Sequence, residues 1–187
     1  MFTSPKVAQI IAECEALIAT KDDAWSIAHE AGVFLHQIAL LRRAKTILEI
    51  GTSYGHSGLF LADAAARNHG KFVTVEQNPK KVLIARQYFT QAGLDQVATV
   101  LPGSAPEILA LAPSQIDFLF IDATKSQQDA YFDTLLPKLA DRAVIVTDNA
   151  STHASEMGPF LQRLRTDRRF ASLLIPIDHG MELTVRL

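Results

Sequence analysis

The chain has 187 residues, of which 48% are hydrophobic and 20% are charged, and its formal net charge is -2. This length allows one domain with a substantial core, and the composition excludes a disordered or fibrous chain. The small charge and the scattered Lys and Arg argue against a nucleic-acid partner, since polyanion binding needs a basic surface.

The single cysteine, Cys14, excludes an internal disulfide and favours a reducing compartment, so we expect a cytoplasmic protein. No apolar run approaches the roughly 18 residues of a membrane span. The first residues also lack the charged head and apolar core of a secretion signal. The sequence therefore predicts a protein that neither crosses a membrane nor is secreted.

Hydrophobic periodicity divides the chain into helices and strands. Apolar residues recur at helical spacing from Pro5 to about Leu41, which predicts two or three opening helices. Beyond Lys45, short apolar runs predict buried strands at residues 46–50, 72–75, 97–101, 116–121 and 143–146. Helical spacing predicts helices at residues 57–66, 79–92, 131–139 and around 159–165. This alternation favours an α/β fold: a doubly wound, Rossmann-like, mostly parallel sheet with helices on both faces.

The end of the chain predicts an antiparallel hairpin at the sheet edge. Residues 172–177 and 182–187 are rich in β-formers, and the turn-like sequence Asp178-His179-Gly180 lies between them. No repeat or interdomain linker is visible. We therefore expect residues 1–187 to form a single domain, with opening helices at 1–45 and an α/β core at 46–187.

A glycine-containing turn follows the first predicted strand. In open parallel sheets ligands bind at the carboxyl ends of the strands, where Gly51 and Gly55 would allow close backbone approach. A helix that begins near Ser57 would offer free amide donors to a ligand. The dinucleotide pattern G-x-G-x-x-G is absent, because Ser53 and His56 occupy its later glycine positions. A simple turn without a ligand stays open as the alternative.

Glu76 closes the second predicted strand, about 25 residues after Gly51. Its carboxylate could accept hydrogen bonds from both hydroxyls of a ribose, which predicts a nucleoside ligand. The alternative is a surface carboxylate at the start of a helix, with Pro79 in the first turn. The two interpretations are compatible.

Three oxygen-bearing side chains follow the fourth and fifth strands, namely Asp122, Asp148 and Asn149. Such oxygens are the ligands that Mg²⁺ favours. Three of them would leave half an octahedron for water and two adjacent substrate oxygens, and the metal would make a bound hydroxyl easier to deprotonate. Each aspartate alone could simply cap a helix or loop, but the nearby Lys125 favours a catalytic site.

Short motifs occur in a fixed order between about Ala31 and Leu187. They are Ile47-Leu48-Glu49-Ile50-Gly51-Thr52 with Gly55 and Ser57, Val75-Glu76-Gln77-Asn78-Pro79, Ala92-Gly93-Leu94, Gly103-Ser104-Ala105, Phe120-Ile121-Asp122-Ala123-Thr124-Lys125 and Thr147-Asp148-Asn149. Together they resemble the metal-dependent class I O-methyltransferases, a family that includes catechol and caffeoyl-coenzyme A O-methyltransferases.

This resemblance implies an enzyme that uses S-adenosylmethionine to methylate a hydroxyl of a small, catechol-like aromatic acceptor. Residues 1–45 would then include a lid, and a homodimer stays open. Glu76 would bind the ribose and Ser104 would lie near the adenine. The residues implied around the cofactor are Glu49, Gly51, Thr52, Ser57, Glu76, Gln77, Ser104 and Asp122.

The resemblance also implies roles around the acceptor. A divalent metal, Mg²⁺ by ligand type, would be held by Asp122, Asp148 and Asn149, with Asn149 also close to the substrate. Lys125 would be the general base, although a salt bridge to Asp122 or Asp129 is its structural alternative. Glu182, in the segment Gly180-Met181-Glu182, would contact the second hydroxyl of the acceptor.

The chain departs from the family pattern at three places. Gln127-Gln128 stands where many members carry Asn-Tyr, and His56 stands where Tyr is frequent. The loop after Asn149 reads Ala150-Ser151-Thr152-His153, in which His153 is either a plain loop residue or an extra polar contact. These departures bear on the choice of acceptor.

Two rival functions are compatible with parts of the sequence. Gly51-Thr52-Ser53-Tyr54-Gly55 matches the G-x-S-x-G elbow of serine hydrolases, in which Ser53 would be the nucleophile, with Asp122 or Asp148 and His179 as partners. Against this, only helical sequence precedes the strand that leads into the elbow, so no earlier strand is available for an oxyanion loop. The second rival is a non-catalytic protein that binds S-adenosylmethionine, which the set of two Asp, Asn and Lys argues against.

Overall fold

The computed structural model describes residues 4–187, and seven strands form its central sheet. In chain order they are β1 (Thr46–Ile50), β2 (Lys71–Glu76), β3 (Ala98–Pro102), β4 (Ile116–Ile121), β5 (Leu139–Thr147), β6 (Phe170–Ile175) and β7 (Met181–Arg186). The spatial order is β3-β2-β1-β4-β5-β7-β6. Strands β1 to β5 are parallel, and β7 pairs antiparallel with both β5 and β6. The doubly wound sheet and the C-terminal hairpin are both confirmed.

In the part of the chain that the structure describes, six α-helices flank this sheet. They are α1 (Pro5–Ile18), α2 (His29–Arg42), α3 (His56–Arg67), α4 (Pro79–Ala92), α5 (Gln128–Leu135) and α6 (Ala154–Thr166). Within residues 4–187, none of them has the length and apolar character needed to cross a membrane.

Local sequence signals explain where α4 begins and ends. Asn78 precedes it, and the Asn78 side chain accepts a hydrogen bond from the Lys80 amide at 3.0 Å. Pro79 occupies the first helical position, where its missing N–H costs nothing. Gly93 ends the helix in the left-handed conformation that glycine adopts without strain. The helix therefore occupies the predicted range.

Other boundaries differ from the prediction. The helix predicted at 131–139 ends at Leu135, and a short 3-10 turn containing Pro137 follows before β5 begins at Leu139. Strand β5 starts earlier than the predicted range 143–146. The prediction missed its first residues because Asp141 and Arg142 face solvent and give no apolar signal. Helix α6 starts five residues before Pro159, which lies inside the helix.

The two faces of the sheet are covered by separate apolar clusters. Ile47, Phe72 and Phe118 point to the face packed against α1 to α4. Leu48 and Leu119, their neighbours along the strands, point to the opposite face, where α5 and α6 pack. Both faces are buried, as a parallel sheet requires.

The exits of β1 and β4 lie in very close contact at Gly51. Gly51 has φ +95°, and a Cβ at this position would lie 2.1 Å from the backbone oxygen of Asp122. The Asp122 amide in turn donates to the Ile50 carbonyl at 3.0 Å. Only glycine fits there, so this turn fixes the spacing between the two strand ends.

We predict that Gly51→Ala lowers the free energy of unfolding by at least about 2 kcal/mol, because it adds left-handed strain and a backbone clash. Gly158→Ala is the matched control. A Cβ at Gly158, inside α6, meets no atom within 4 Å, so alanine should raise stability by about 0.5–1 kcal/mol. Urea unfolding of both variants measures the difference. Equal effects of the two substitutions would contradict this explanation.

Candidate active site

A cavity of about 970 Å³ opens at the carboxyl ends of the parallel strands. Loops that follow β1 to β5 form its floor, and residues from the segment between α1 and α2 form a wall. Open α/β sheets bind ligands at this end. Of the site residues that the family resemblance implied, eight line it, namely Gly51, Glu76, Gln77, Ser104, Asp122, Lys125, Asp148 and Asn149.

Backbone amides hold the Glu76 carboxylate in place at the end of β2. One oxygen accepts from the Ser53 amide at 2.9 Å, and the other accepts from the Asn78 amide at 2.7 Å. Each carboxylate oxygen can accept more than one hydrogen bond, so both keep capacity for a ligand. Gln77 and Ser104 lie beside it, with the Ser104 hydroxyl 3.4 Å from the Gln77 side-chain oxygen.

Two carboxylates meet at the exits of β4 and β5. The parallel register pairs Ile121 with Thr147, which places Asp122 and Asp148 side by side. Asp148 is 2% exposed, and its Oδ1 has no hydrogen-bond partner within residues 4–187. Burial, followed by the negative charge of Asp122, raises the pKa of Asp148. The pair therefore forms a buried acidic position that lacks a full counter-charge.

Lys125 supplies a positive charge at this position. Its Nζ lies 2.9 Å from Asp122 Oδ1, and both side chains are mostly buried. Asp129, the other partner considered for Lys125, pairs with Arg163 instead. The ion pair with Asp122 keeps the amine at the cavity wall, where Lys125 is a lining residue.

Asn149 follows Asp148 directly and adopts the left-handed conformation, with φ +64°. Asparagine tolerates this conformation better than most residues. Its Nδ2 is 3.4 Å from the Thr152 hydroxyl, so the amide nitrogen turns toward the loop. The amide oxygen is then the atom available to a ligand.

Three predicted residues lie behind the glycine turn and do not line the cavity. Glu49, Thr52 and Ser57 are at most 7% exposed. The Glu49 carboxylate accepts hydrogen bonds from the hydroxyls of Ser57 at 2.5 Å and Thr74 at 2.6 Å. Glu49 thus connects β1 to α3 and β2, and supports the turn from below.

Glu182 is also separate from the cavity. It lies on β7 opposite Thr147, is fully buried, and forms a two-bond ion pair with Arg165 at 2.7 and 2.5 Å. The Ser172 hydroxyl donates to it as well, at 2.7 Å. Both carboxylate oxygens are therefore already used within the fold. The structure does not bring Glu182 to the acceptor position that the resemblance implied.

Several cavity residues carry no recognisable signal in the sequence. Trp25 and Ser26 come from the segment between α1 and α2, and Glu156 comes from the start of α6. They belong to no motif, and their positions depend on tertiary contacts. His179, considered from the sequence only as a hydrolase partner, also lines the cavity. His153 does line the cavity, and its ring nitrogen is 3.2 Å from the Thr152 hydroxyl.

The hydrolase alternative is not supported by the geometry. Ser53 Oγ has no hydrogen-bond partner in the part of the chain that the structure describes, so it forms no Ser-His pair. The nearby His56 is bonded to Glu15 at 2.9 Å, and His179 lies 3.6 Å from Asp178. The backbone amide of Ser53 instead donates a hydrogen bond to the Glu76 carboxylate.

Comparison with known families identifies the class of this α/β protein. The sequence model of a family described as a methyltransferase domain matches residues 48–150. The chain belongs to this methyltransferase-domain family. The match runs from within β1 through the end of β5, the strands that carry the cavity, and the hydrolase interpretation is therefore wrong.

Relatives narrow the class to O-methyltransferases. A catechol O-methyltransferase of Niastella koreensis is 32% identical over 144 residues, which are 75% of this chain and 65% of that relative's length. An O-methyltransferase of Streptomyces achromogenes involved in tomaymycin synthesis, solved with S-adenosylmethionine, is 25% identical with a TM-score of 0.83, covering 98% of this chain and 90% of that one. The predicted resemblance to O-methyltransferases and the predicted enzyme class are confirmed. The metal dependence stays a prediction.

The fold is shared with a further structure, an O-methyltransferase from Bacillus cereus in complex with S-adenosylhomocysteine. That chain has a TM-score of 0.85 at 24% identity, with 96% of this chain and 91% of that chain covered. At this level of identity the likeness supports the architecture alone.

Within residues 4–187, no group of three or more His, Cys, Asp or Glu side chains is arranged to hold a metal ion. The set predicted from the sequence has only two carboxylates, so its third ligand is an amide oxygen, that of Asn149. This set therefore has fewer negatively charged ligands than an all-carboxylate site.

We predict that Glu49 makes stability depend on pH. Burial raises the pKa of Glu49 from 4.5 to about 7. Folding therefore favours the protonated carboxyl group. The contribution of Glu49 to the free energy of unfolding is fully present below pH 4.5 and is lost as the pH rises to 7. Relative to Glu49→Gln, the wild-type free energy of unfolding should fall by about 3 kcal/mol over this range. Urea titrations at several pH values test this, and parallel curves for the two proteins would contradict it.

Proposed function

We propose that this protein transfers the methyl group of S-adenosylmethionine to a hydroxyl of a small catechol-like aromatic acceptor, with the help of a divalent metal ion. The observation that carries the proposal is the convergence of Asp122, Asp148 and Lys125 in the same cavity as Glu76. Glu76 can accept hydrogen bonds from the hydroxyls of a ribose, and it shares the cavity with a buried acidic pair and an amine. Only the two features together indicate both a nucleoside cofactor and a substrate hydroxyl that loses its proton.

The cofactor half of the proposal rests on Glu76 and the glycine turn. Glu76 is held by two backbone amides and keeps lone pairs for the ribose hydroxyls. Gly51 lets a ligand approach the backbone closely, and Gln77 and Ser104 would lie along the adenine. The S-adenosylmethionine-bound O-methyltransferase of Streptomyces achromogenes, which shares this fold, supports the choice of cofactor.

The proposed metal site rests on the incompletely balanced negative charge at the carboxyl ends of β4 and β5. Asp148 is buried with one oxygen unpartnered, beside a second carboxylate. Asp122, Asp148 and the amide oxygen of Asn149 would hold a Mg²⁺ ion, whose oxygen preference they match. When bound, such an ion lowers the pKa of a coordinated acceptor hydroxyl. The residues present therefore fit the ion.

The chain's own contribution to the reaction is alignment and proton removal. Lys125, in its neutral form, would take the proton of the acceptor hydroxyl, and its contact with Asp122 holds the amine at the reaction site. The cofactor would supply the methyl group: its carbon would bond to the acceptor oxygen as the carbon–sulfur bond breaks and S-adenosylhomocysteine leaves, so no covalent enzyme intermediate would be needed. A partly closed cavity favours this displacement by fixing the two reactants in line.

We also infer that residues 1–187 act as one methyltransferase domain, in which the α/β core of 46–187 binds cofactor and metal and residues 1–45 cover them. Asp23 supports this role for the opening segment, since it accepts from the Tyr54 hydroxyl at 2.7 Å. The homodimer, and the cytoplasmic location expected from Cys14, stay predictions.

We predict that Asp148→Ala reduces methyl transfer to catechol by about 10²-fold or more, because a metal ligand worth several kcal/mol in the transition state is lost. Affinity for S-adenosylhomocysteine should change little, since Glu76 and Gly51 are untouched. Asp141→Ala is the matched control, because Asp141 is an exposed aspartate near the other end of β5. Assays with labelled cofactor and calorimetry measure the two quantities.

Chelation provides the complementary test. Thorough treatment with EDTA should abolish transfer, and added Mg²⁺ should restore it. Transfer that survives chelation would contradict the metal's role. Cofactor binding without transfer to any of a panel of small catechols and caffeoyl thioesters, with Mg²⁺ present, would favour the non-catalytic binding protein.

A further inference from the structure

We propose that Asp178 is a positioning residue that clamps residues 24–28, a wall of the cavity, onto the loop that carries Asn149. The inference rests on the proposed function for its consequence in catalysis. The clamp itself rests on contacts between the β6–β7 turn and two other segments.

The first contact joins the turn to the start of α2. Asp178 Oδ2 accepts a hydrogen bond from the backbone amide of Ala28 at 2.7 Å, across 150 residues of sequence. Ala28 is the N-cap residue of α2 and has no side-chain oxygen to cap the helix. Asp178 supplies the missing acceptor at this helix end from another part of the fold. Its side chain is 13% exposed, although the residue as a whole lies at the surface.

The second contact joins the same turn to the loop after β5. The amide of Ala150 donates to the Gly180 carbonyl at 2.8 Å, and the amide of Ser151 donates to the His179 carbonyl at 3.1 Å. A Cβ at Gly180 would lie 2.1 Å from the Ser151 hydroxyl oxygen, so the two segments are closely packed. Asp178 is thus connected through two residues to the loop that begins at Asn149.

These contacts matter because both connected segments line the cavity. Trp25 and Ser26 lie on the segment held at Ala28, and Asn149 and His179 lie on the other side of the clamp. Trp25 is 86% exposed, so its own packing does not fix it. The segment is instead held at its ends, by the burial of Ile27, by the bond to Asp178 and by contacts of Asp23. Loss of the Asp178 bond should let this wall move away from a bound ligand.

Two variants, Asp178→Gly and Asp178→Asn, distinguish the loss of the hydrogen bond to Ala28 from the loss of the negative charge. Asp178 has φ +52°, so alanine would add strain of its own, whereas glycine removes the carboxylate without strain. Asparagine tolerates the same conformation and keeps an oxygen that can accept from Ala28, but it removes the charge. Asp95→Ala is the control, because Asp95 is exposed and its side chain accepts a hydrogen bond from its neighbour Gln96.

We expect faster amide hydrogen exchange in residues 24–32 of Asp178→Gly, with exchange close to wild type in Asp178→Asn and Asp95→Ala. Calorimetry should show about tenfold weaker binding of S-adenosylhomocysteine to Asp178→Gly, and a change below about twofold for the other two. Unfolding measured in parallel should confirm that all variants are folded under assay conditions.

Unchanged amide exchange in Asp178→Gly would overturn the clamp. An Asp178→Asn variant that behaves like Asp178→Gly would also overturn it, because the charge and not the hydrogen bond would then be responsible. Faster exchange with unchanged affinity would overturn the positioning role. A wild-type protein that binds no S-adenosylhomocysteine would refute the proposed function instead, and the exchange comparison would still decide the clamp.

Discussion

The parallel register between β4 and β5 places two carboxylates, Asp122 and Asp148, next to each other at the floor of a cavity. Two negative charges in a mostly buried position repel each other and lose hydration, which disfavours the ionised pair. Lys125 offsets one of these charges. The remaining imbalance favours a bound cation, and this constraint connects the fold to the proposed chemistry.

Several buried contacts hold the strand ends that create this position. Gly51 allows β1 to approach β4 so closely that no side chain fits between them. Glu49 connects β1 to α3 and β2 through hydroxyl groups, below the turn. Glu182 and Arg165 join β7 to α6 at the other side of β5. These residues support the cavity from outside it, so their role is to preserve its shape.

Much of the fold and part of the site followed from the sequence, because both depend on local signals. Strand β1 and helix α4 have strong apolar periodicity and clear end signals, and the structure has them at the predicted residues. The residues at strand exits also reached the cavity, since the carboxyl ends of parallel strands share one edge. The position of Glu182 and the contact of Asp178 depend on side-chain partners far apart in sequence, which no local pattern encodes.

The most direct test of the central claim is a crystal structure of the protein with Mn²⁺ and S-adenosylhomocysteine, measured at an energy where manganese scatters anomalously. We predict one anomalous peak within coordination distance of oxygens from Asp122, Asp148 and Asn149, next to the cofactor's sulfur. Strong cofactor density with no peak at these oxygens, or with the two aspartates turned away from each other, would contradict the proposed metal-dependent reaction.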